Sequence, residues 1–158
     1  MIGIVDRIKG SIPSDCQPCD CEQDNCSVIT TDVPHYYVVV NVDCEQVKGD
    51  IRGKRCDCLF VGEHLGRTWV VPIELKTGKV EPSEVRNQLQ GCARFVEKFV
   101  TDEEQIDFIP VLAHAKDKPI RKREFQRLGK RSITILKGKI RRQPKVIQCG
   151  DSLTKVLP

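Results

Sequence analysis

Two carboxylates and one ammonium stand at the ends of apolar runs. Asp57 lies inside Cys56-Asp57-Cys58-Leu59-Phe60-Val61, and Glu74 and Lys76 close the run Trp69-Val70-Val71-Pro72-Ile73-Glu74-Leu75-Lys76. Paired carboxylates attract a hard divalent cation such as Mg²⁺ or Mn²⁺, which takes oxygen ligands and keeps several waters. A lysine beside them can orient or deprotonate a bound water and offset phosphate charge. These residue types therefore suggest attack of water on a phosphate ester. The plain alternative is a solvated ion pair on a surface hairpin, which contributes little. An acid among Cys, Leu, Phe and Val is poorly placed for solvation, which favours the first reading.

The elements that must position these groups are two strands. Cys56–Gly62 and Thr68–Lys76 are rich in β-branched and aromatic residues, and Glu63-His64-Leu65-Gly66 between them reads as a tight turn. Side chains alternate along a strand, so Glu74 and Lys76 point to one face and Leu75 to the other. Paired as a hairpin, the strands set Asp57 near the open end, opposite Glu74.

An Asp followed after a hairpin by Glu-x-Lys resembles the active site of the PD-(D/E)XK nuclease superfamily, whose fold is restriction-endonuclease-like. The resemblance spans residues 35–150. It implies a Mg²⁺-dependent deoxyribonuclease, an endonuclease, that hydrolyses DNA phosphodiester bonds. Asp57, Glu74 and the Leu75 carbonyl would hold the ion, and Lys76 would assist the attacking water. Cys56 stands where the family's name has proline. DNA is implied over RNA because the superfamily mostly cuts DNA, and a homodimer is implied for members that cut both strands. Many members carry a further acid before the hairpin. Asp43, Glu45, Asp50 and His35 are the candidates, each by itself reading as an ordinary polar residue.

After Lys76, Glu81-Pro82-Ser83-Glu84 carries the proline and first-turn acids of a helix start. The helix is expected to run to about Val100, with Val85, Leu89, Cys92, Val96 and Phe99 as its apolar stripe. Gln88 flanks that stripe, and the resemblance implies a catalytic glutamine there. Gln90 lies well round the helix, and Gly91 suggests a close helix–sheet contact. Asp107–Ala113 reads as a buried strand parallel to Thr68–Lys76, reached by a right-handed crossover. His114, at its end, reads as a loop histidine. Val33–Val42 reads as a further, central strand, and Met1–Ile12 as an edge strand.

From Lys116 to Lys145 the chain carries 13 Lys/Arg against Asp117 and Glu124, although the whole chain is only +4. Such a tract suggests a polyanionic partner. Pro119–Leu128 is expected to form a short basic helix resting on Phe125 and Leu128. Ser132–Lys137 and Ile140–Cys149 are expected to form a hairpin, with Pro144 pushing its second strand to an edge. Arg121, Lys122, Arg123, Arg127, Lys130 and Arg131 would grip a nucleic-acid backbone. Asp151–Leu157 reads as a closing helical turn capped by Asp151 or Ser152.

Four of nine cysteines, Cys16, Cys19, Cys21 and Cys26, crowd a segment with almost nothing apolar. Four close thiols suit Zn²⁺ or an iron–sulfur cluster, with Cys44 or Cys149 as a fifth ligand. Disulfides and free thiols are the alternatives. The odd cysteine count and the lack of a signal-like start argue against a disulfide framework.

These features together predict an α/β protein with a mixed sheet of about five strands flanked by helices. Residues 1–31 are expected to form a Cys-rich metal-binding appendage and 32–158 the nuclease-like domain. No apolar run approaches the roughly 20 residues of a membrane helix, so a cytoplasmic, membrane-free protein is expected. The competing function is a non-catalytic nucleic-acid-binding or assembly module with a structural Zn or Fe–S site.

Overall fold

The β-branched run that carries Glu74 forms the longest strand and organises the sheet around itself. In the computed structural model, which describes residues 2–34, 36–101, 105–117 and 119–157, the chain order is α1 (Ile4–Ser11), a 3-10 turn at Ser14–Cys16, β1 (Cys21–Gln23), β2 (Cys26–Val28), β3 (Tyr36–Asn41), α2 (Glu45–Lys48), β4 (Cys58–His64), β5 (Arg67–Lys76), α3 (Pro82–Glu97), β6 (Ile106–Phe108), β7 (Val111–His114), α4 (Lys122–Gly129), β8 (Ile133–Ile135), β9 (Ile140–Arg142), β10 (Lys145–Gln148) and a 3-10 turn at Leu153–Lys155. The main sheet has six strands, ordered β10-β7-β5-β4-β3 with β6 also on β5. β3, β4 and β5 are antiparallel, whereas β6 and β7 run parallel to β5 and β10 runs parallel to β7. The mixed α/β architecture expected from the sequence is therefore present.

Alternation along the strands gives the sheet two buried faces. Leu59, Val61 and Val70 pack with Val85, Leu89, Cys92 and Val96 of α3 and with Ile4, Val5 and Ile8 of α1. Val39, Phe60, Val71, Ile73 and Leu75 face the other way, onto Cys21, Cys26 and Val28 of the β1–β2 hairpin and Leu153. Burying each large apolar side chain stabilises by about 1.5–3 kcal/mol, so both coverings contribute materially.

Several expectations need correcting. Residues 4–11 form a helix, not an edge strand. Ile4, Val5 and Ile8 are all buried at helical spacing, while Ile2 is exposed. The strand expected at 107–113 is two strands, because Pro110 lacks the N–H the ladder needs. Both halves still pair with β5. Pro144 likewise splits the second strand of the late hairpin: β9 pairs with β8, while β10 leaves to become the edge of the main sheet. Leu128 seats α4 in the core, but Phe125 is 54% exposed. Residues 102–104 lie outside the described residues, as does His35.

The cysteines overturn the expected zinc or iron–sulfur site. They form four disulfides, Cys16–Cys44, Cys21–Cys58, Cys26–Cys149 and Cys56–Cys92, and leave Cys19 free and exposed. Three of the four proposed thiolate ligands are thus consumed. Among the described residues, no group of three or more His, Cys, Asp or Glu is placed to hold a metal ion, so a resident ion caged by protein side chains is corrected as well. Cys44 and Cys149, expected as extra metal ligands, are disulfide partners instead. The physical need was read correctly: a segment with little apolar content must be held by something else. Crosslinks and the sheet's second face do that work.

Among the described residues, no helix is long and apolar enough to cross a membrane.

Candidate active site

Hairpin register places the acids. Cys58 pairs with Ile73, and one step beyond the ladder the Asp57 N–H donates to Ile73 O at 3.2 Å while Asp57 O accepts from the Val42 N–H at 3.1 Å. The Asp57 carboxylate turns across the strand end, and its Oδ2 accepts from the Leu75 N–H at 2.7 Å. Both neighbours of Asp57 are crosslinked. Cys56 is tied to Cys92 on α3, and Cys58 to Cys21 on β1. The aspartate is therefore clamped from both faces of the sheet.

Glu74 and Lys76 share the face that α3 covers, as the alternation predicts. Lys76 Nζ lies 3.0 Å from Glu74 Oε2, with the Glu74 side chain 3% exposed and that of Lys76 20%. Glu74 Oε1 is buried and receives no hydrogen bond. Burial, then the Asp57 charge, push the Glu74 pKa from its ordinary 4.5 to about 8, with Lys76 pulling the other way. Burial also raises Asp57, against hydrogen bonds from the Leu75 N–H and from Glu74. Each carboxyl is thus pushed upward by burial, and the Asp57 charge adds to the rise at Glu74. Asp57, Glu74 and Lys76 are thus brought together at one rim of the sheet.

Gln88 of α3 approaches Asp57. It lines a cleft of about 500 Å³ with Asp57, Cys56, Gln23, Asp43, Gly53, Lys54 and Arg55. Its Oε1 is buried without a hydrogen-bond partner. Of the candidate extra acids, only Asp43 reaches this cleft, where it accepts from Arg55 Nη2 at 2.7 Å. Glu45 pairs with Lys48, and Asp50 with Lys98. His64 sits in the last position of β4, at the opposite end of the hairpin.

Sequence reasoning missed Lys54 and Arg55, although Arg52-Gly53-Lys54-Arg55 directly precedes the aspartate's run. Arg55 Nε is buried with no hydrogen-bond partner, a donor left over for an anion in the cleft. Gly91 proves to be a contact with this loop and not with the sheet: a Cβ there would lie 1.9 Å from Lys54 O. The bare glycine lets α3 meet the loop and form the cleft's wall. Gln90, set aside in the sequence, is buried and pins β8 to α3. Its Nε2 donates to Thr134 O at 2.8 Å, and its Oε1 accepts from the Thr134 N–H at 3.0 Å. His114 pairs in register with Lys76, and its Nδ1 lies 3.1 Å from Ala115 O.

The basic residues gather around α4. Arg127, Lys130 and Arg131 line a cavity of about 370 Å³ with Glu81 and Pro82, beside the start of α3. Arg121 lines another, of about 280 Å³, with Gly78 and Lys79, just beyond Lys76. Lys122 and Arg123 are exposed on the helix between them.

Two carboxyls and a lysine, with a glutamine and cations lining the cleft beside Asp57, can bind a phosphate and handle a proton. Asp57 and Glu74 fall short of a set of three or more side-chain ligands, so among the described residues the donor set does not fit the divalent ion implied by the resemblance. Comparison with protein-family models, with curated proteins and with solved structures found no match.

Proposed function

We propose that this protein is a nuclease that hydrolyses phosphodiester bonds of DNA at Asp57, Glu74 and Lys76, on a restriction-endonuclease-like fold. The observation that carries this reading is the acid pair: two carboxyls in contact, one almost fully buried, beside a lysine 3.0 Å away. An acid pair held this way costs stability, and a binding module without catalysis has no use for it.

In this reading Lys76 donates to the attacking water and offsets charge gathering on the phosphate oxygens. Asp57, held by the Leu75 N–H, and Glu74 face the attacking water and take up its proton. Gln88 positions the water or a phosphate oxygen. Arg55 and Lys54 hold the neighbouring phosphate in the cleft, and the α4 cations grip the backbone further along. Cutting both strands would take two copies.

Four disulfides suit an oxidising setting, or the cytosol of an organism that keeps its proteins disulfide-rich. The cytoplasmic placement belongs to the second case.

The test is nicking of supercoiled plasmid with Mg²⁺ or Mn²⁺ and with EDTA, by wild type and by Lys76→Ala. Cleavage is expected by wild type and not by Lys76→Ala. Equal cleavage by Lys76→Ala, or none by wild type on any nucleic acid, would overturn it.

A further inference from the structure

We infer that the nucleic-acid strand is unpaired where it meets the site and that Phe125 stacks on one of its bases. The inference rests on the nuclease reading and adds the substrate's form.

Phe125 is 54% exposed on a helix that Leu128, at 1%, already anchors. Its ring is not needed to seat α4. Arg121 and Lys122 lie one turn earlier on the same side, and the Phe125 N–H donates to Arg121 O. The ring lines a cavity of about 670 Å³ with His114, Lys145 and Gln148. His114 is the register partner of Lys76, so this cavity adjoins the catalytic rim. At its N-terminal end the same turn presents Arg121 to Gly78 and Lys79, which follow Lys76 in the chain. The first turn of α4 and its cap therefore lie between a cavity that reaches His114 and one that reaches Gly78 and Lys79, with a flat apolar ring and cations one turn apart.

That pairing of groups matches single-stranded nucleic acid. Cations track the phosphates, and a phenyl ring meets the π face of any base regardless of its identity. A duplex keeps its base faces stacked inside and offers an exposed phenyl only sugar and phosphate. An apolar protein surface is disfavoured by the Arg121 and Lys122 charges one turn from the ring.

The experiment uses the full oxidised chain with Glu74→Gln, which binds without cutting. It measures affinity for a labelled oligonucleotide of about 16 nucleotides, as single strand and as blunt duplex, and the quenching of a 2-aminopurine placed in the strand. Phe125→Leu is expected to lose about tenfold in single-strand affinity and the quenching, and to move duplex affinity less than about twofold. Phe125→Trp is expected to restore both. Equal changes for the two polymers, or no change, would overturn the stacking inference while leaving the nuclease reading in place. Binding of neither polymer would overturn both.

Discussion

Glu74 is the residue whose surroundings differ most from water, and that difference can be measured without any substrate. Its folded-state pKa is raised from 4.5 to about 8. Between those values the folded protein keeps a proton that the unfolded chain has released, so the group's contribution to stability falls as pH rises from about 4.5 to about 8. Glu74→Gln removes the titrating charge at nearly constant shape. It is expected to raise stability by about 1–2 kcal/mol at pH 8, the gain shrinking to near zero by about pH 4, with the raised Asp57 pKa and the loss of the Lys76 pair reducing it from the full shift. Denaturant melts at both pH values check this. A variant less stable than wild type at pH 8 would show the acid to be a net stabiliser. The shared face of Glu74 and Lys76 and the place of Asp57 at the hairpin's open end were legible because strand alternation fixes them, whereas the resemblance alone singled out Gln88. Lys54 and Arg55 were not legible, because a loop has no period, and their approach depends on Gly91, on another element.

The strand that bears Asp57 depends on crosslinks. Cys56–Cys92 and Cys16–Cys44 span similar sequence separations, 36 and 28. The chain-entropy cost of losing either is therefore nearly the same, about 2–4 kcal/mol. Only the first adjoins Asp57 and joins it to the helix carrying Gln88. Replacing Cys56 and Cys92 together by alanine is expected to lower Tm about as much as replacing Cys16 and Cys44. The first change should cut activity at least about tenfold, the second less than about threefold. Equal activities in the two double variants would show that the crosslink does not position the aspartate. At this scale the sequence was clear for α3, whose stripe is buried from end to end, and for the β4–β5 hairpin. It was obscure for β1 and β2, whose burial partners lie in other parts of the chain. The strands cut by Pro110 and Pro144 ran together in the sequence, because apolar content continues across each proline.

For the whole molecule the deciding quantity is where charge sits. A net +4 spread evenly would do little, but 13 cations between Lys116 and Lys145 concentrate it around α4 and the β8–β9 hairpin. Neutralising phosphates releases counterions, so nucleic-acid affinity should fall steeply with salt. Arg127→Gln with Lys130→Gln should flatten the slope of log K against log salt by about one to two units, with little change in preference among sequences. An unchanged slope would remove α4 from the interface. The sheet class, its crossover and its hairpin were all readable from hydrophobic pattern. The covering of the second sheet face was not, because it is made by disulfides that no periodicity announces. Function turns on Asp57, Glu74 and Lys76, at the end of β5 and its neighbour. Single-turnover cleavage of labelled DNA with Mg²⁺, by wild type, Asp57→Asn, Glu74→Gln and Lys76→Ala with matched melting profiles, tests it most directly. The account predicts that wild type cuts and that each variant loses at least about a hundredfold; variants cutting at the wild-type rate, or a wild type that cuts nothing, would contradict it.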